Sequence, residues 1–446
     1  MSRRFLTLRN DIVSYHGSKR YRFRTASANP GRSGRYPARS FALQPIASRR
    51  IAPILGSLGA LAPLAIDMYL PGMPRIAADL HAGEGAVQFS LMTFFAGLMI
   101  GQLFCGPLSD RIGRKPTIYA GLALFVAAAL GCASAATPEQ LIAWRFVQGL
   151  GGSVGMAISM AIIRDLYTGH AAARLMGLMM MALSVAPVIA PLLGTAILAF
   201  APWPALFVLL AIVGAGCALL VATVLPETRP PALRTATRPA DVARNYLHLI
   251  VSRRYIAYVG VMAVAQAGFF AYLAGSSFVF ISVHGLTPAA YSLIFAMNAV
   301  GLTAGAQLAP RLMHRFAPQT IVRAALAVYA AAAVILALLE LGGGAGIVAL
   351  AALLFVAITA LAFVMPLNSM MALESYGAIS GTAAALMGTI QFAAGTLASL
   401  IVGLTADGTA LPMVLTIAVS GIAACLLAFG VFPRARVFEL QKEPAS

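Results

Sequence analysis

Twelve long apolar segments, separated by short polar loops, constrain the fold more than any other feature of this sequence. Each segment can supply the about 20 residues with which an α-helix crosses about 30 Å of hydrocarbon. No segment alternates like a barrel strand, and unpaired backbone groups are not tolerated in lipid, so we predict an all-α membrane protein with twelve transmembrane helices. The segments lie near residues 52–71, 86–107, 116–136, 139–163, 173–199, 204–225, 254–282, 289–312, 320–341, 345–372, 379–404 and 410–432.

Composition supports this prediction, and the distribution of charge orients the helices. The chain is 60% hydrophobic and only 10% charged, a balance that soluble globular domains do not show. Its net charge of +17 does not indicate a nucleic-acid partner, because the cations beyond the N-terminal arm lie mostly in alternate short loops. Since cationic loops stay inside, both termini are predicted to be cytoplasmic. These cations include Arg111, Arg114, Lys115, Arg164, Arg174, Arg229, Arg234, Arg238, Arg244, Arg253, Arg311, Arg315, Arg434 and Arg436.

The polar stretches divide the chain into five parts. Residues 1–50 form a basic arm that we expect to be disordered, and residues 226–253 form a cytoplasmic linker between a six-helix bundle (51–225) and a second one (254–432). Residues 433–446 form a cytoplasmic tail. For the arm, a transit peptide and translation from upstream of the natural start are alternatives to a functionless tail. Two six-helix repeats around a central site are a transporter architecture.

The turn GPLSDRIGRKP, between the second and third segments, is too short to fold alone and must find its partners on the flanking helices. A weakly similar stretch follows 200 residues later, where cations recur but Pro310 stands in the place of Asp110. The turn is the first candidate motif, and its members are Gly106, Asp110, Arg111, Gly113, Arg114 and Lys115.

Two ionisable side chains lie inside apolar segments, where a charge is costly. Asp67 must be paired, hydrated or protonated, which makes it a candidate proton carrier; capping of local structure near Pro71 is the alternative. Arg145 shares a helix face with Gln148, and a central arginine costs about 2.5–3.5 kcal/mol even on the permissive insertion scale. An arginine that snorkels to the outer interface is the alternative. The glycines that follow, which allow close helix approach, are Gly149, Gly151, Gly152 and Gly155.

The fifth span carries two prolines at one-turn spacing. Pro187 and Pro191 interrupt the hydrogen-bond ladder on one face, and Gly194 follows one turn later. We therefore expect a kink in this span, although ordinary membrane-helix prolines would give the same pattern.

A substrate surface is predicted from polarisable, aromatic and amide side chains, because methionine and phenylalanine repack around varied shapes. Ordinary packing is the alternative for each of them. The candidates are Tyr69, Phe94, Phe95, Gln148, Met156, Met180, Phe269, Phe270, Tyr272, Asn298, Asn368 and Gln391.

Enzyme, metal and cofactor functions find no support in the sequence. The apolar region has no pair of carboxylates at working distance, no histidine cluster, no HExxH, no phosphate-binding loop and no GxSxG. The four cysteines lie in apolar segments without a CxxC pair, which is typical of packing residues. An ion gradient is then the expected source of energy.

Together these features resemble the major facilitator superfamily, and specifically its twelve-helix drug:proton antiporters. The turn at 106–116 resembles the loop between helices two and three, and Arg145 to Gly149 resembles the fourth-helix motif. The prolines of the fifth span resemble the antiporter motif, although Ala186, Ala190 and Thr195 stand where that motif usually has glycine. The stretches SLGALAPLAIDMYLPGMPRIAADL, GFFAYLAGSSFVFI, IFAMNAVG and LMGTIQFAAG are similar to the bicyclomycin/chloramphenicol resistance (Bcr/CflA) group.

The resemblance implies the exchange of a cytoplasmic drug for an external proton, by a monomer in a bacterial inner membrane. Asp67 would bind the proton, Arg145 would sense the change in charge, and the turn would latch the two halves on the cytoplasmic side. An exporter of one metabolite, such as a sugar, amino acid or siderophore, is the alternative within this fold. A non-transporting receptor or scaffold built on the same fold is the alternative from another functional class, and it predicts that Asp67→Asn leaves the phenotype intact.

Overall fold

The structure, a computed structural model, describes residues 48–167, 169–231, 234 and 239–432, all of them in the compact unit Pro45–Ser446. The predictions for most of the basic arm, for the C-terminal tail and for part of the linker fall outside these residues. The described part of the chain contains twelve helices long and apolar enough to cross a membrane, which confirms the predicted number.

The helices of the N-terminal half precede the linker, and those of the C-terminal half follow it. The N-terminal half consists of α1 (Ser48–Asp67), α2 (Met73–Asp79), α3 (Glu84–Ile112), α4 (Arg114–Ala133), α5 (Pro138–Leu166), α6 (Gly169–Phe200) and α7 (Pro204–Thr223). The linker contains α8 (Pro239–Val251). The C-terminal half consists of α9 (Arg253–Ser277), α10 (Pro288–Leu312), α11 (Pro318–Leu341), α12 (Ile347–Leu361), α13 (Val364–Leu373), α14 (Ser380–Leu404) and α15 (Leu411–Val431). Short 3₁₀ segments lie at Leu70–Gly72 and Gly377–Ile379, and a π-helical turn at Phe278–Val283 extends α9.

Proline breaks two of the spans, one in each half. The ring of a proline clashes with the carbonyl group four residues earlier in a continuing helix. Pro71 stands four residues after Asp67, where α1 ends, and Pro366 stands four residues after Ala362, where the chain is interrupted between α12 and α13. Because the chain resumes as α2 after the break, the first span covers Ile51–Asp79 and extends beyond the predicted boundary at residue 71.

Glycines bring the helices of the N-terminal half into close contact. A Cβ added to Gly149 on α5 would collide with the Phe94 carbonyl oxygen of α3, and one on Gly155 would collide with the Leu58 carbonyl oxygen of α1. Gly151 is equally close to α4, as predicted, whereas Gly152 makes only ordinary contacts with the Phe125 ring. Backbones that approach this closely bring the residues of α1, α3 and α5 into one packed layer.

The two halves meet along two helix pairs. Helix α3 packs against α14, and α6 packs against α10. On the second pair, the Thr195 and Ser292 hydroxyls are 2.7 Å apart, and the Ser292 hydroxyl also donates to the Pro191 carbonyl oxygen at 3.1 Å. Large apolar side chains such as Leu219 and Leu426 point outward on α7 and α15, as expected for helices that face lipid.

The linker is more structured than its polar composition predicted. The Tyr246 hydroxyl of α8 donates to the Leu103 carbonyl oxygen of α3 at 3.0 Å, and Leu249 is fully buried. Burial raises the pKa of Tyr246 to about 12, so the phenol stays protonated and remains a donor at physiological pH. Helix α8 therefore attaches the linker to the N-terminal half, and it also packs against α9 and α14.

Candidate functional site

Asp67 lies at the proline break of the first span. It is the last residue of α1, and only 5% of its surface is exposed. Among the described residues it forms no ion pair and no hydrogen bond. The 3₁₀ turn that follows packs against α6, α9 and α10, and a Cβ on Gly194 of α6 would collide with the Met68 carbonyl oxygen. The carboxyl group is thus buried at a helix break where the two halves meet.

Arg145 lies one helix away, completely buried on α5. Its Nη1 donates to the Ala65 carbonyl oxygen at 3.1 Å and to Gln148 Oε1 at 2.7 Å. Its Nε and Nη2 have no hydrogen-bond partner in the described part of the chain. Ala65 precedes Asp67 by two residues, so the guanidinium group is attached to the broken end of α1 without forming an ion pair with the carboxylate. The alternative of an arginine that snorkels to the membrane surface is therefore wrong.

Aromatic rings enclose the guanidinium group. Its centre lies 4.2 Å from the Phe94 ring centroid, 4.7 Å from that of Tyr69 and 5.8 Å from that of Phe207. Such cation–π contacts are worth up to about 2 kcal/mol when they are desolvated. The Tyr69 hydroxyl is held by Ser90 at 2.7 Å. Three predicted substrate residues, Tyr69, Phe94 and Gln148, therefore form the surroundings of Arg145.

A second group of aromatic rings spans the two halves. This aromatic cluster joins Phe95 of α3 to Phe270 of α9, with ring centroids 4.6 Å apart, and to Phe392 of α14, at 6.3 Å. Phe269 lies beside Phe270 at 6.1 Å. The structure thus brings the predicted residues Phe95, Phe269 and Phe270 together, and Phe392 is an aromatic member that sequence reasoning missed.

Tyr272 and Asn298 form a polar pair in the C-terminal half. Asn298 Nδ2 donates to the Tyr272 hydroxyl at 2.9 Å, and both side chains are almost fully buried. Together with Pro187 of α6 they line a small cleft whose other walls include Phe269 and Phe295. The cleft thus joins a predicted proline of the fifth span to two predicted substrate residues.

The remaining predicted substrate residues are dispersed. Asn368, just beyond the second proline break, is fully buried, and neither its Oδ1 nor its Nδ2 has a partner among the described residues. Gln391 on α14 is half-buried, and its Nε2 donates to the Met387 carbonyl oxygen of its own helix. Met156 and Met180 are exposed, at 37% and 39%. These four side chains are not part of the surroundings of Arg145.

The turn after α3 forms a charge network. Arg114 pairs with Asp110 and with Asp165 of α5, both at 2.9 Å. Arg229 also reaches Asp110, at 3.4 Å. The Glu227 carboxylate accepts from the backbone N–H groups of Arg114, Lys115 and Arg229 at 2.8–3.1 Å, so it caps the positive end of α4.

The role of this network as a latch between the two halves stays a prediction. The ion pairs and hydrogen bonds described above join α3, α4, α5 and residues 227–229, which lie within or directly after the N-terminal half. Gly113 has a φ of 109°, which a side chain would strain, and Lys115 lies over the Tyr119 ring at 5.9 Å. The predicted turn is shorter than expected, because Gly106 and Arg111 lie in α3, which continues to Ile112; a Cβ on Gly106 would meet nothing within 4 Å, and Arg111 is exposed. Sequence reasoning missed Asp165, in the last turn of α5, and Glu227, four residues beyond the end of α7.

Two hydrogen bonds join α14 to helices of the N-terminal half. Arg164 Nη1 of α5 donates to the Ser380 hydroxyl at the start of α14 at 3.4 Å, and Thr389 of α14 reaches the Met99 carbonyl oxygen of α3 at 3.5 Å. Both contacts are long, so they hold the two halves together only weakly.

Twelve apolar helices in two sets of six, with ionisable side chains buried near the interface between the sets, define an integral membrane protein that moves small solutes. The sequence matches the Major Facilitator Superfamily over residues 55–399. The chain therefore belongs to the Major Facilitator Superfamily.

Curated relatives cover most of the chain. It is 32% identical to the "Bicyclomycin resistance protein homolog" of Haemophilus influenzae, over 81% of this chain and 91% of that protein. It is 33% identical to the "Uncharacterized MFS-type transporter YdgK" of Bacillus subtilis, over 85% and 95%. It is 32% identical to the "Multidrug resistance protein MdtL" of Escherichia coli, over 62% and 70%. These relatives are transporters and resistance proteins, not enzymes.

Solved structures share the fold at low identity. The "D-xylose-proton symporter" superposes with a TM-score of 0.68 at 19% identity, over 86% of this chain and 98% of that one. The "human organic anion transporter MFSD10 (TETRAN)" superposes with a TM-score of 0.64 at 18% identity, over 86% and 100%. Both establish the two-bundle transporter fold.

Proposed function

We propose that this protein exports small amphiphilic drugs from a bacterial cytoplasm in exchange for protons, by alternating access. The observation that carries the proposal is Asp67: a carboxyl group 5% exposed, at a break in the first span, with no partner among the described residues. A group in such a place is stable when it is neutral, and it needs water, a cation or a ligand when it is charged. Proton binding and drug binding can therefore alternate at the interface between the two halves.

Arg145 supplies the second half of the coupling. Its guanidinium group keeps its charge, and two of its nitrogens lack a partner in the described structure. When Asp67 loses its proton, the new carboxylate attracts these two nitrogens, which lie on the neighbouring helix α5. The broken end of α1 can then shift toward α5, because the Ala65 carbonyl oxygen already joins the two elements. Protonation removes the attraction and releases the shift.

The energetics permit useful export. One proton that moves through a potential of 100 mV releases about 2.3 kcal/mol before any pH term. Because about 1.4 kcal/mol corresponds to a factor of ten, one proton for each drug molecule sustains a gradient of some tens-fold. No ATP is required.

Several features support drugs as the substrates. Two relatives carry names that refer to bicyclomycin or multidrug resistance. The aromatic cluster of Phe95, Phe269, Phe270 and Phe392 lies between the halves, where a solute would pass, and phenylalanine rings adapt to varied apolar shapes. We further propose that the protein works as a monomer in the inner membrane, with both termini and the charge network on the cytoplasmic side.

The test is drug resistance in a bacterial host that lacks its own exporters. Asp67→Asn is expected to abolish resistance to chloramphenicol and bicyclomycin at normal membrane expression. Asp79→Asn is the matched control, because it makes the same chemical change at an exposed position of the same span, and it should keep resistance. Full resistance in Asp67→Asn would contradict the proposal. If the parent protein resists no drug, a metabolite becomes the better substrate hypothesis.

A further inference from the structure

A cleft opens between the two halves at the start of α3 and the end of α14. Its volume is about 560 Å³, within the range of about 300–1,000 Å³ that is usual for small-molecule sites. The α3 side consists of residues 83–86 and Phe89, and the other side consists of Gly403, Leu404 and the turn that follows α14. We call it the α3–α14 cleft. It shares no lining residue with the small cleft described above.

The α3–α14 cleft is bordered by a direct contact between the two halves. A Cβ added to Gly85 would collide with the Gly403 carbonyl oxygen, and one added to Gly403 would lie 2.8 Å from Cε1 of Phe89. The two backbones touch because both residues are glycine. Since all three residues line the cleft, a solute inside it contacts both halves at the place where they meet.

The charge around the cleft is negative. Glu84 is the only ionisable side chain among the described residues that line it; this side chain is half-buried and has no hydrogen bond or ion pair within the described structure. Asp407 stands between two lining residues of the turn, and its Oδ1 accepts from the Thr409 backbone N–H at 2.9 Å and from the Thr409 hydroxyl at 2.6 Å. These hydrogen bonds lower the pKa of Asp407, so it is charged at physiological pH. The last carbonyl groups of α14 add negative partial charge.

These features select the kind of ligand. Two carboxylates disfavour an anion, and Glu84 already occupies the positive start of α3. A metal ion needs several ligands, and the part of the chain that the structure describes holds no group of three or more histidine, cysteine or acidic side chains suited to one. Phe89 and Leu404 instead offer aromatic and apolar surface, and aromatic rings attract organic cations.

We propose that the α3–α14 cleft binds an organic cation with an apolar body, such as a quaternary ammonium ion that carries an aromatic ring. Glu84 attracts the charge, while Phe89 and Leu404 contact the apolar part. Because the ligand touches both halves, its binding stabilises the arrangement in which α3 and α14 are in contact. The inference goes beyond the proposed function, since it requires neither drug transport nor proton coupling.

The test is the protection of a cysteine placed in the cleft. Leu404 lines the cleft and is 69% exposed, so Leu404→Cys should react with N-ethylmaleimide. The purified full-length protein is held in nanodiscs, where both membrane faces are accessible, and labelling at position 404 is quantified by tandem mass spectrometry. Benzyltrimethylammonium is the probe, and it should slow the labelling. Its uncharged isostere, neopentylbenzene, should not.

Variants at Glu84, each combined with Leu404→Cys, test the role of charge. In Glu84→Gln the probe concentration that halves the labelling rate should rise about threefold or more, because an ion pair with the ligand is lost. Glu139→Gln makes the same change at an exposed position in the first turn of α5, and it should leave that concentration unchanged. Glu84→Asp keeps the charge and should keep the protection, so it controls for a change of shape.

Each contrary result overturns the cation site. Absence of protection by the probe would do so, as would equal protection in Glu84→Gln or by neopentylbenzene. Loss of protection in both Glu84→Asp and Glu84→Gln would assign the effect to side-chain shape and not to charge. None of these results bears on the proposed function, which is tested through Asp67.

Discussion

The two halves break a span by the same means but place different chemistry at the break. In the N-terminal half, Pro71 ends α1 at Asp67, beside the buried Arg145. In the C-terminal half, Pro366 interrupts the chain before α13, and the buried side chain nearby is the neutral amide of Asn368. The corresponding turns of the two halves also differ, since Arg114 has acidic partners whereas the similar stretch at 310–315 has cations without an acid. Ionisable side chains are thus buried at the break in the first half, whereas a neutral amide is buried at the break in the second.

The largest expected effect breaks the charged side of this comparison. Arg145→Lys keeps the charge but loses the planar fork that reaches both Ala65 and Gln148 and stacks on aromatic rings. Hydrogen bonds to charged groups are worth about 1.5–3 kcal/mol, so drug efflux should fall roughly tenfold to a hundredfold. Efflux is measured in energised vesicles, with the exposed Arg111→Lys as the control that should match the parent. If Arg145→Lys exports as well as the parent, only charge matters at this position.

The next prediction compares the two turns directly. Arg114→Ala removes the buried cation that Asp110 and Asp165 share, and because Arg229 still reaches both acids, the loss should be smaller than the about 3–5 kcal/mol of a fully buried, uncompensated pair. Thermal unfolding in detergent should therefore begin several degrees earlier than in the parent. Arg311→Ala, in the similar stretch at 310–315, removes an exposed cation that donates to the Gln307 carbonyl oxygen of its own helix, and its effect should stay within about 0.5 kcal/mol. Equal losses in the two variants would show that the turns are equivalent after all.

The smallest expected effect concerns the neutral break. Asn368→Leu removes two buried amide atoms that lack partners in the described structure, so it should raise the unfolding temperature by the equivalent of about 1–3 kcal/mol. Asn298→Leu is the matched control: it removes an amide that donates to Tyr272, and it should lower the unfolding temperature. A drop in efflux together with higher stability in Asn368→Leu would assign that amide to substrate. Lower stability would show that Asn368 has a structural partner.

Sequence reasoning predicted the spans well because their signal is local. Hydropathy over about twenty residues identified all twelve helices, and the glycines after Gln148 correctly indicated close packing. The end of α1 at Asp67 was not predicted, because the first segment was placed at 52–71, although Pro71 excludes a further hydrogen bond to the Asp67 carbonyl group. Helix α8 was missed since its stability depends on contacts such as Tyr246 with Leu103, 143 residues away in the chain.

The assembly of the site could not be predicted in the same way. Asp165 and Glu227 meet Arg114 across 51 and 113 residues of sequence, and no local pattern records such a contact. Likewise, Tyr69 and Phe94 looked suitable for a substrate, but their rings enclose Arg145. Residue type predicted which side chains matter, whereas tertiary packing decided which of them act together.

The most direct test of the account is drug-induced proton release from everted membrane vesicles. Vesicles that contain the parent, Asp67→Asn or Asp79→Asn are energised, and chloramphenicol, bicyclomycin, a sulfonamide and a dye are added in turn while the internal pH is recorded. The account predicts that several unlike compounds release protons through the parent and through Asp79→Asn, and that none does so through Asp67→Asn. Proton release through Asp67→Asn at the parent rate would contradict the claim that Asp67 couples the proton to the drug.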